Sequence, residues 1–213
     1  MTAPRNYQNE KPRWHGAQRR IGITGGIASG KSSVGEFLVT AHSLPIMDAD
    51  AYAKEELAPG TCSSQAILKH FGKPIVHEET GVATTIDRSA LGKIIFANKN
   101  ERLWLEQQLH PQIRQRMVKE LDASTHSPVI VLMIPLLFEA KLECFCSEVW
   151  IVDCTVAQQR QRLMTRDHLT IHEANLRIES QWPLSQKKLL ADVVIDNSGM
   201  PRSWQEQVEK QFQ

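Results

Sequence analysis

The sequence predicts an α/β fold in three layers, a five-stranded parallel sheet flanked by helices. Three observations carry that expectation. Short apolar β runs alternate with stretches of helical spacing, the order that builds a parallel sheet covered on both faces. The third run, "PVIVLMIPLLF", is apolar nearly throughout, as a strand buried on both sides must be. A chain of 213 residues, 41% hydrophobic and 23% charged, is large and apolar enough for a sizeable core.

Taken in order, "RIGIT" at residues 20–24 reads as the first strand. Residues 31–41 follow as a helix, with Val34, Phe37, Leu38 and Ala41 at helical spacing. Residues 45–47 form a short second strand. The third lies in the apolar run 129–138, which is too short to span a bilayer and is interrupted by Pro135, so it reads as a buried strand. "EVWIVDC" and "ADVVID" supply the fourth and fifth, and a final helix carries Trp204, Val208 and Phe212 four residues apart. About seventy residues separate strands two and three, far more than a crossover needs. Residues 58–127 are therefore expected to be an inserted helical subdomain, and 157–189 a second helical excursion. Two insertions at one sheet edge form the walls and lid of a cleft. The core is then 20–57, 128–156 and 190–213.

Residues 1–19 mix Pro, Asn, Gln and charge with no apolar segment of a secretory signal, and read as a disordered or loosely docked extension. The formal net charge of +1 gives no global field for nucleic acid or a membrane surface. Any anion site is therefore local. Cys62, Cys144, Cys146 and Cys154 lack both paired metal-site spacing and the density of a disulfide scaffold, so they read as reduced thiols of a cytoplasmic protein.

"GGIASGKS", Gly25 to Ser32, satisfies GxxxxGK[ST] between a strand and a helix. The spacing has a physical reason. Backbone N–H groups of Gly25, Gly26, Ile27, Ala28, Ser29 and Gly30 can turn inward around a phosphate, and glycine tolerates the close approach. Lys31 supplies a cation to the β and γ phosphates, Ser32 a hydroxyl for Mg²⁺, and the helix beginning at Lys31, Ser32 and Ser33 its positive end. This is a nucleoside triphosphate cradle, and it leaves the fate of the γ-phosphate open.

Three classes compete for that fate. A GTPase needs a guanine-reading NKxD, and "NKNE" at residues 98–101 has Glu for Asp in a helical setting, with no switch motif. A motor ATPase ends its third strand in adjacent acids, whereas here a single Glu139 follows "IPLLF". Phosphoryl transfer to a small-molecule hydroxyl remains in front. It needs a carboxylate near the γ-phosphate to accept a proton. "DAD" follows strand two at the carboxyl edge where ligands bind in such sheets. In an extended segment Asp48 and Asp50 share one side, so that one takes the proton while the other works through Mg²⁺ or water. The competing reading makes Asp50 the cap of a helix over residues 51–57. "QQRQRLMTRD" puts Arg162 and Arg166 on one helical face with Arg160 nearby, and residues 158–188 carry six basic groups against three acids. Guanidinium groups there suit a lid that closes over phosphates. Pro111 is expected to start a new helix, leaving His110 at a helix junction and Arg114 one turn in.

"TGGIASGKS", "DAD", "LHPQIR", "IPLLFE", "RLMTRD", "RIESQWPLSQKKLLAD" and "VVIDNSG" stand in the order and spacing of the dephospho-coenzyme A kinases, and over about residues 20–204 the chain resembles that family. The resemblance implies the P-loop kinase fold of the nucleoside monophosphate kinases, with core, substrate-binding helical insertion and lid. It implies transfer of the ATP γ-phosphate to the ribose 3′-hydroxyl of dephospho-coenzyme A, with Mg²⁺. It makes Asp50 the catalytic base and Asp48 a supporting or metal-linked acid. His110, Arg114 and Glu139 become substrate-binding candidates, Arg162 and Arg166 lid arginines, and Asn197 a candidate for the adenine edge. Other readings stay open: another nucleoside or nucleotide kinase of the same architecture, or a nucleotide-gated binding module without turnover. Small-molecule substrates, no nucleic acid, no membrane and a monomer, with weak self-association allowed, complete the expectation. Ala28 stands where the family often has Gly, and its methyl group is tolerated if the local φ is negative.

Overall fold

A computed structural model describes residues 13–77 and 85–213. The chain runs β1 (Arg19–Gly25), α1 (Lys31–His42), β2 (Ile46–Asp48), α2 (Ala49–Glu56) and α3 (Cys62–Phe71). A small antiparallel pair, β3 (Val76–His77) and β4 (Thr85–Ile86), precedes α4 (Arg88–Ala97) and the long α5 (Lys99–Ala123). Then come β5 (Val129–Met133), β6 (Glu148–Asp153), α6 (Val156–Asp167), α7 (Ile171–Glu179), α8 (Leu184–Lys188), β7 (Val193–Asp196) and α9 (Trp204–Glu209).

Five strands form one sheet in the order β2-β5-β1-β6-β7, every neighbouring pair parallel. β1 lies at its centre because the chain departs from it to one side, through α1 to β2, and later returns to the other side through β6. The carboxyl ends of the strands therefore gather around the turn that follows β1, where such sheets bind ligands.

Alternation within β5 shows how both faces are covered. Ile130 and Leu132 point into one core with Leu105, Leu109, Ile113, Met117 and Leu121 of α5. Val131 and Met133 point into the other with Val34 and Leu38 of α1 and Trp204 and Val208 of α9. Each such side chain contributes about 1.5–3 kcal/mol by burial. Close approach is demanded at Gly35, where an added Cβ would lie 2.3 Å from Met133 Sδ.

Two local expectations are corrected, and part of a third lies outside the described residues. β5 stops at Met133 rather than running through residue 138. Pro135 has no N–H for a ladder, and its carbonyl instead accepts from Thr24 Oγ1 at 3.0 Å. Pro111 starts no helix; it sits inside the 25-residue α5. It lies on the exposed face, as does Gln107, whose carbonyl loses its usual donor to Pro111, so water can satisfy that group while Leu109 and Ile113 hold the buried face together. Residues 1–12 of the expected extension lie outside the described residues. Residues 13–19 are docked: Trp14 N donates to Cys146 O at 3.1 Å, and buried Gln18 donates to the carbonyls of Ser124 and Ser127 at 2.8 Å each.

Candidate active site

The glycine-rich turn leaves β1 at Gly25 and enters α1 at Lys31. Gly30 caps α1 with φ 106° and offers no side chain to the first N–H groups, which leaves them for an anion. Lys31 Nζ folds back over the turn and donates to Gly26 O at 2.9 Å. Ser32 and Ser33 are exposed at the mouth. Ala28 does not meet the condition of a negative φ. It lies at φ 57°, in the left-handed region that costs an L-residue about 1–2 kcal/mol.

Asp48 ends β2 and is itself the N-cap of α2, its Oδ1 accepting from Asp50 N at 2.9 Å. The capping role considered for Asp50 thus falls to Asp48, and the two acids do not share an extended segment. α2 begins at Ala49, so Asp50 stands in its first turn and lines the cleft.

That cleft has a volume of about 880 Å³. Ile27, Ala28, Gly30, Lys31, Ser32 and Ser33 form one half, and Asp50 lines the same cavity within electrostatic reach of Lys31. The other half is walled by the helical insertion through Ile95, Phe96, Arg102, Leu105, Glu106, Leu109, His110 and Ile113, and by Ile134, Pro135 and Leu136 after β5. Arg162, Thr165 and Arg166 of α6 and Gln181 close it from the side of the second insertion.

The family model for dephospho-CoA kinase matches residues 19–202. The chain belongs to the dephospho-CoA kinase family. A dephospho-CoA kinase of Prochlorococcus marinus is 54% identical over 196 residues, 92% of this chain and 96% of that one. One from Trichormus variabilis is 46% identical, covering 90% and 95%. Among solved structures, a Thermus thermophilus protein superposes with TM-score 0.73 at 27% identity, covering 92% and 97%. The dephospho-CoA kinase of Campylobacter jejuni gives 0.59 at 25%, covering 91% and 94%.

In this dephospho-CoA kinase fold the charges of the cleft are mutually tuned. Burial raises the Asp50 carboxyl above the usual carboxylate range, Lys31 opposes that shift and Asp48 adds to it. Burial lowers the Lys31 ammonium to about 8; Asp50 draws it back up, and Lys187 pushes it further down. Lys187 is fully buried, 2.7 Å from Glu139 Oε1 and donating to Pro135 O at 3.1 Å. Glu139 Oε1 also accepts from Trp182 N at 3.0 Å. Glu139 therefore anchors the segment entering α8 beneath the cleft.

The lid arginines differ in what they hold. Arg162 donates to Ala28 O and Ser29 O at 3.2 Å and to Asn197 O at 3.1 Å, so it clasps the phosphate loop to the turn after β7. Arg166 makes a two-pronged pair with Asp167 at 2.7 and 2.9 Å and keeps much of its side chain exposed at the cleft. Asn197 donates to Ser29 O at 2.8 Å and braces the loop. His110 lines the acceptor half, whereas Arg114 turns to Cys144 Sγ at 3.7 Å and lies over the Phe145 ring at 5.0 Å, outside the lining.

Sequence reasoning missed Gln159 and Gln181. Gln159 Nε2 donates to Ile27 O at 2.7 Å and Ile27 N donates to Gln181 Oε1 at 2.8 Å. A lone glutamine carries no pattern, although Gln159 lies within "QQRQRLMTRD" and Gln181 within "RIESQWPLSQKKLLAD". Among the described residues no cluster of three or more His, Cys, Asp or Glu could hold a metal ion. Ser32 and Asp50 line the cleft, whereas Asp48 lies outside the lining with one oxygen committed to its cap; this oxygen set suits Mg²⁺, which keeps waters and binds through one or two protein oxygens plus phosphate. Nor is any helix among the described residues long and apolar enough to cross a membrane.

Proposed function

We propose that this chain transfers the γ-phosphate of ATP to the ribose 3′-hydroxyl of dephospho-coenzyme A, giving coenzyme A and ADP. The observation that carries the reading is the placement of Asp50 in the same cleft as the Lys31 loop and the apolar acceptor wall. Family membership names the acceptor.

The residues divide the work. The loop from Gly25 to Ser33 binds the triphosphate through the α1 N-terminus and through loop N–H groups, those of Ile27 and Ser29 being already bonded within the protein. Lys31 neutralises charge on the transferring group. Asp50 accepts the hydroxyl proton as the oxygen attacks, which its raised pKa favours over an ordinary carboxylate. Ser32, and Asp48 through its uncommitted oxygen or a water, would hold Mg²⁺, which when bound would supply neutralising charge to the phosphates. Arg162 fixes the loop and Arg166 swings its exposed guanidinium onto the phosphates as the lid closes. His110 and the apolar wall bind the acceptor, and Glu139 supports that wall through Lys187. Four free cysteines fit work in the cytoplasm, and a cleft built within one chain fits a monomer.

Coupled ADP release across dephospho-coenzyme A, nucleosides and nucleoside monophosphates tests the reading. Turnover confined to dephospho-coenzyme A is the expected result. Turnover on a nucleoside or monophosphate instead identifies another kinase of this architecture, and ATP binding without turnover on any acceptor identifies a binding module.

A further inference from the structure

The phosphate loop of this chain is held from outside by amide side chains. Both backbone groups of Ile27 are taken by the second insertion: its N–H donates to Gln181 Oε1 at 2.8 Å and its carbonyl accepts from Gln159 Nε2 at 2.7 Å. Gln159 is 3% exposed, so its amide is a built part of the interior. An added Cβ at Gly26 would sit 2.1 Å from Gln159 Nε2. A methyl group at Gly26 would thus displace the Gln159 amide; the φ of Gly26 is not positive, and the space it leaves is filled by that glutamine. The next residue, Ala28, stands at φ 57° although it is not glycine. On its far side Arg162 and Asn197 fix the Ala28 and Ser29 carbonyls.

We propose that Gln159 and Gln181 are positioning residues which hold Ile27 so that Ala28 stays left-handed and the phosphate loop keeps its binding shape. An alanine left to itself favours φ below zero. Two hydrogen bonds on the preceding residue are together of the size needed to oppose that preference. Because the glutamines come from α6 and from the turn between α7 and α8, the second insertion shapes the nucleotide site before any nucleotide arrives. This rests on the triphosphate reading of the loop and is independent of the acceptor.

The test is ADP and ATP affinity by titration calorimetry for Gln159→Leu, Gln181→Leu and Ala28→Gly, singly and combined, with thermal unfolding in parallel. Each glutamine variant is expected to weaken nucleotide binding about tenfold in the Ala28 background, the loss of about one such hydrogen bond. With Ala28→Gly the same losses shrink to about threefold or less, because glycine adopts the left-handed conformation without support. A role confined to docking the insertion predicts equal losses in both backgrounds, and that result overturns the proposal, as does unchanged affinity in both glutamine variants. Wild-type protein that binds nucleotide but never phosphorylates dephospho-coenzyme A removes the proposed function while leaving this comparison readable.

Discussion

The phosphate half and the acceptor half of the cleft are built by opposite means. The phosphate half is one contiguous turn, Gly25 to Ser33, whose work is done by backbone N–H groups and one lysine. The acceptor half is assembled from residues scattered across α4, α5 and the turn after β5, and its work is done by side-chain shape. A local, backbone-made site can be read from spacing; a dispersed, side-chain-made site exists only once the fold has brought it together. Asp50 lines the cavity in which the two meet, and the comparison is sharpest there.

The largest expected effect comes from removing that carboxylate. Asp50→Ala should lower kcat by about 10²- to 10⁴-fold with ATP affinity little changed, as steady-state kinetics and nucleotide titration would show. Near wild-type turnover in a folded variant rejects the assignment. Next is the buried pair beneath the acceptor half. Lys187→Met leaves the Glu139 carboxylate with its cation gone in a mostly buried setting, and should cost about 3–5 kcal/mol of unfolding free energy in denaturant titration. Glu139→Gln with Lys187→Met, which removes both charges, should recover part of it.

Phe96→Ala separates the halves. It strips apolar surface from the acceptor wall and should raise KM for dephospho-coenzyme A about tenfold while leaving nucleotide affinity unchanged. Equal effects on both ligands would erase the distinction between the halves. The smallest expected effect is a bend in a pH profile. Lys31 in the free enzyme is lowered to about 8, so kcat/KM for ATP, which reports the free enzyme, should fall as pH rises through about 8. Phosphates bound beside Lys31 favour its charged form, so kcat should hold to higher pH. The stability sign runs the other way. Between about pH 8 and the ordinary lysine value the unfolded chain binds the extra proton, so this group's contribution to stability grows as pH rises across that window.

The same contrast explains what was legible in the sequence. The five strands, their parallel arrangement and the loop with its lysine followed from local runs and one spacing. The extent of β5 did not: an apolar run shows burial, and nothing in it says that Pro135 ends the ladder while Leu137 continues the core. Pro111 misled because a local rule was outweighed by tertiary packing of Leu109, Ile113 and Met117 on the opposite face. "DAD" gave the right segment, but which acid caps α2 depended on where the helix begins, a matter of one residue. Lys187 and Glu139 lie 48 residues apart, and Gln159 and Gln181 more than 130 from Ile27, separations at which sequence shows no pairing.

The central claim is that the two halves meet to move a phosphoryl group onto dephospho-coenzyme A. Incubation with ATP labelled at the γ-phosphate, followed by separation of products and mapping of the label, tests it most directly. The account predicts label on the ribose 3′-oxygen of coenzyme A in amount equal to the ADP formed. Label released only as inorganic phosphate, or carried by another acceptor while dephospho-coenzyme A stays unlabelled, contradicts it.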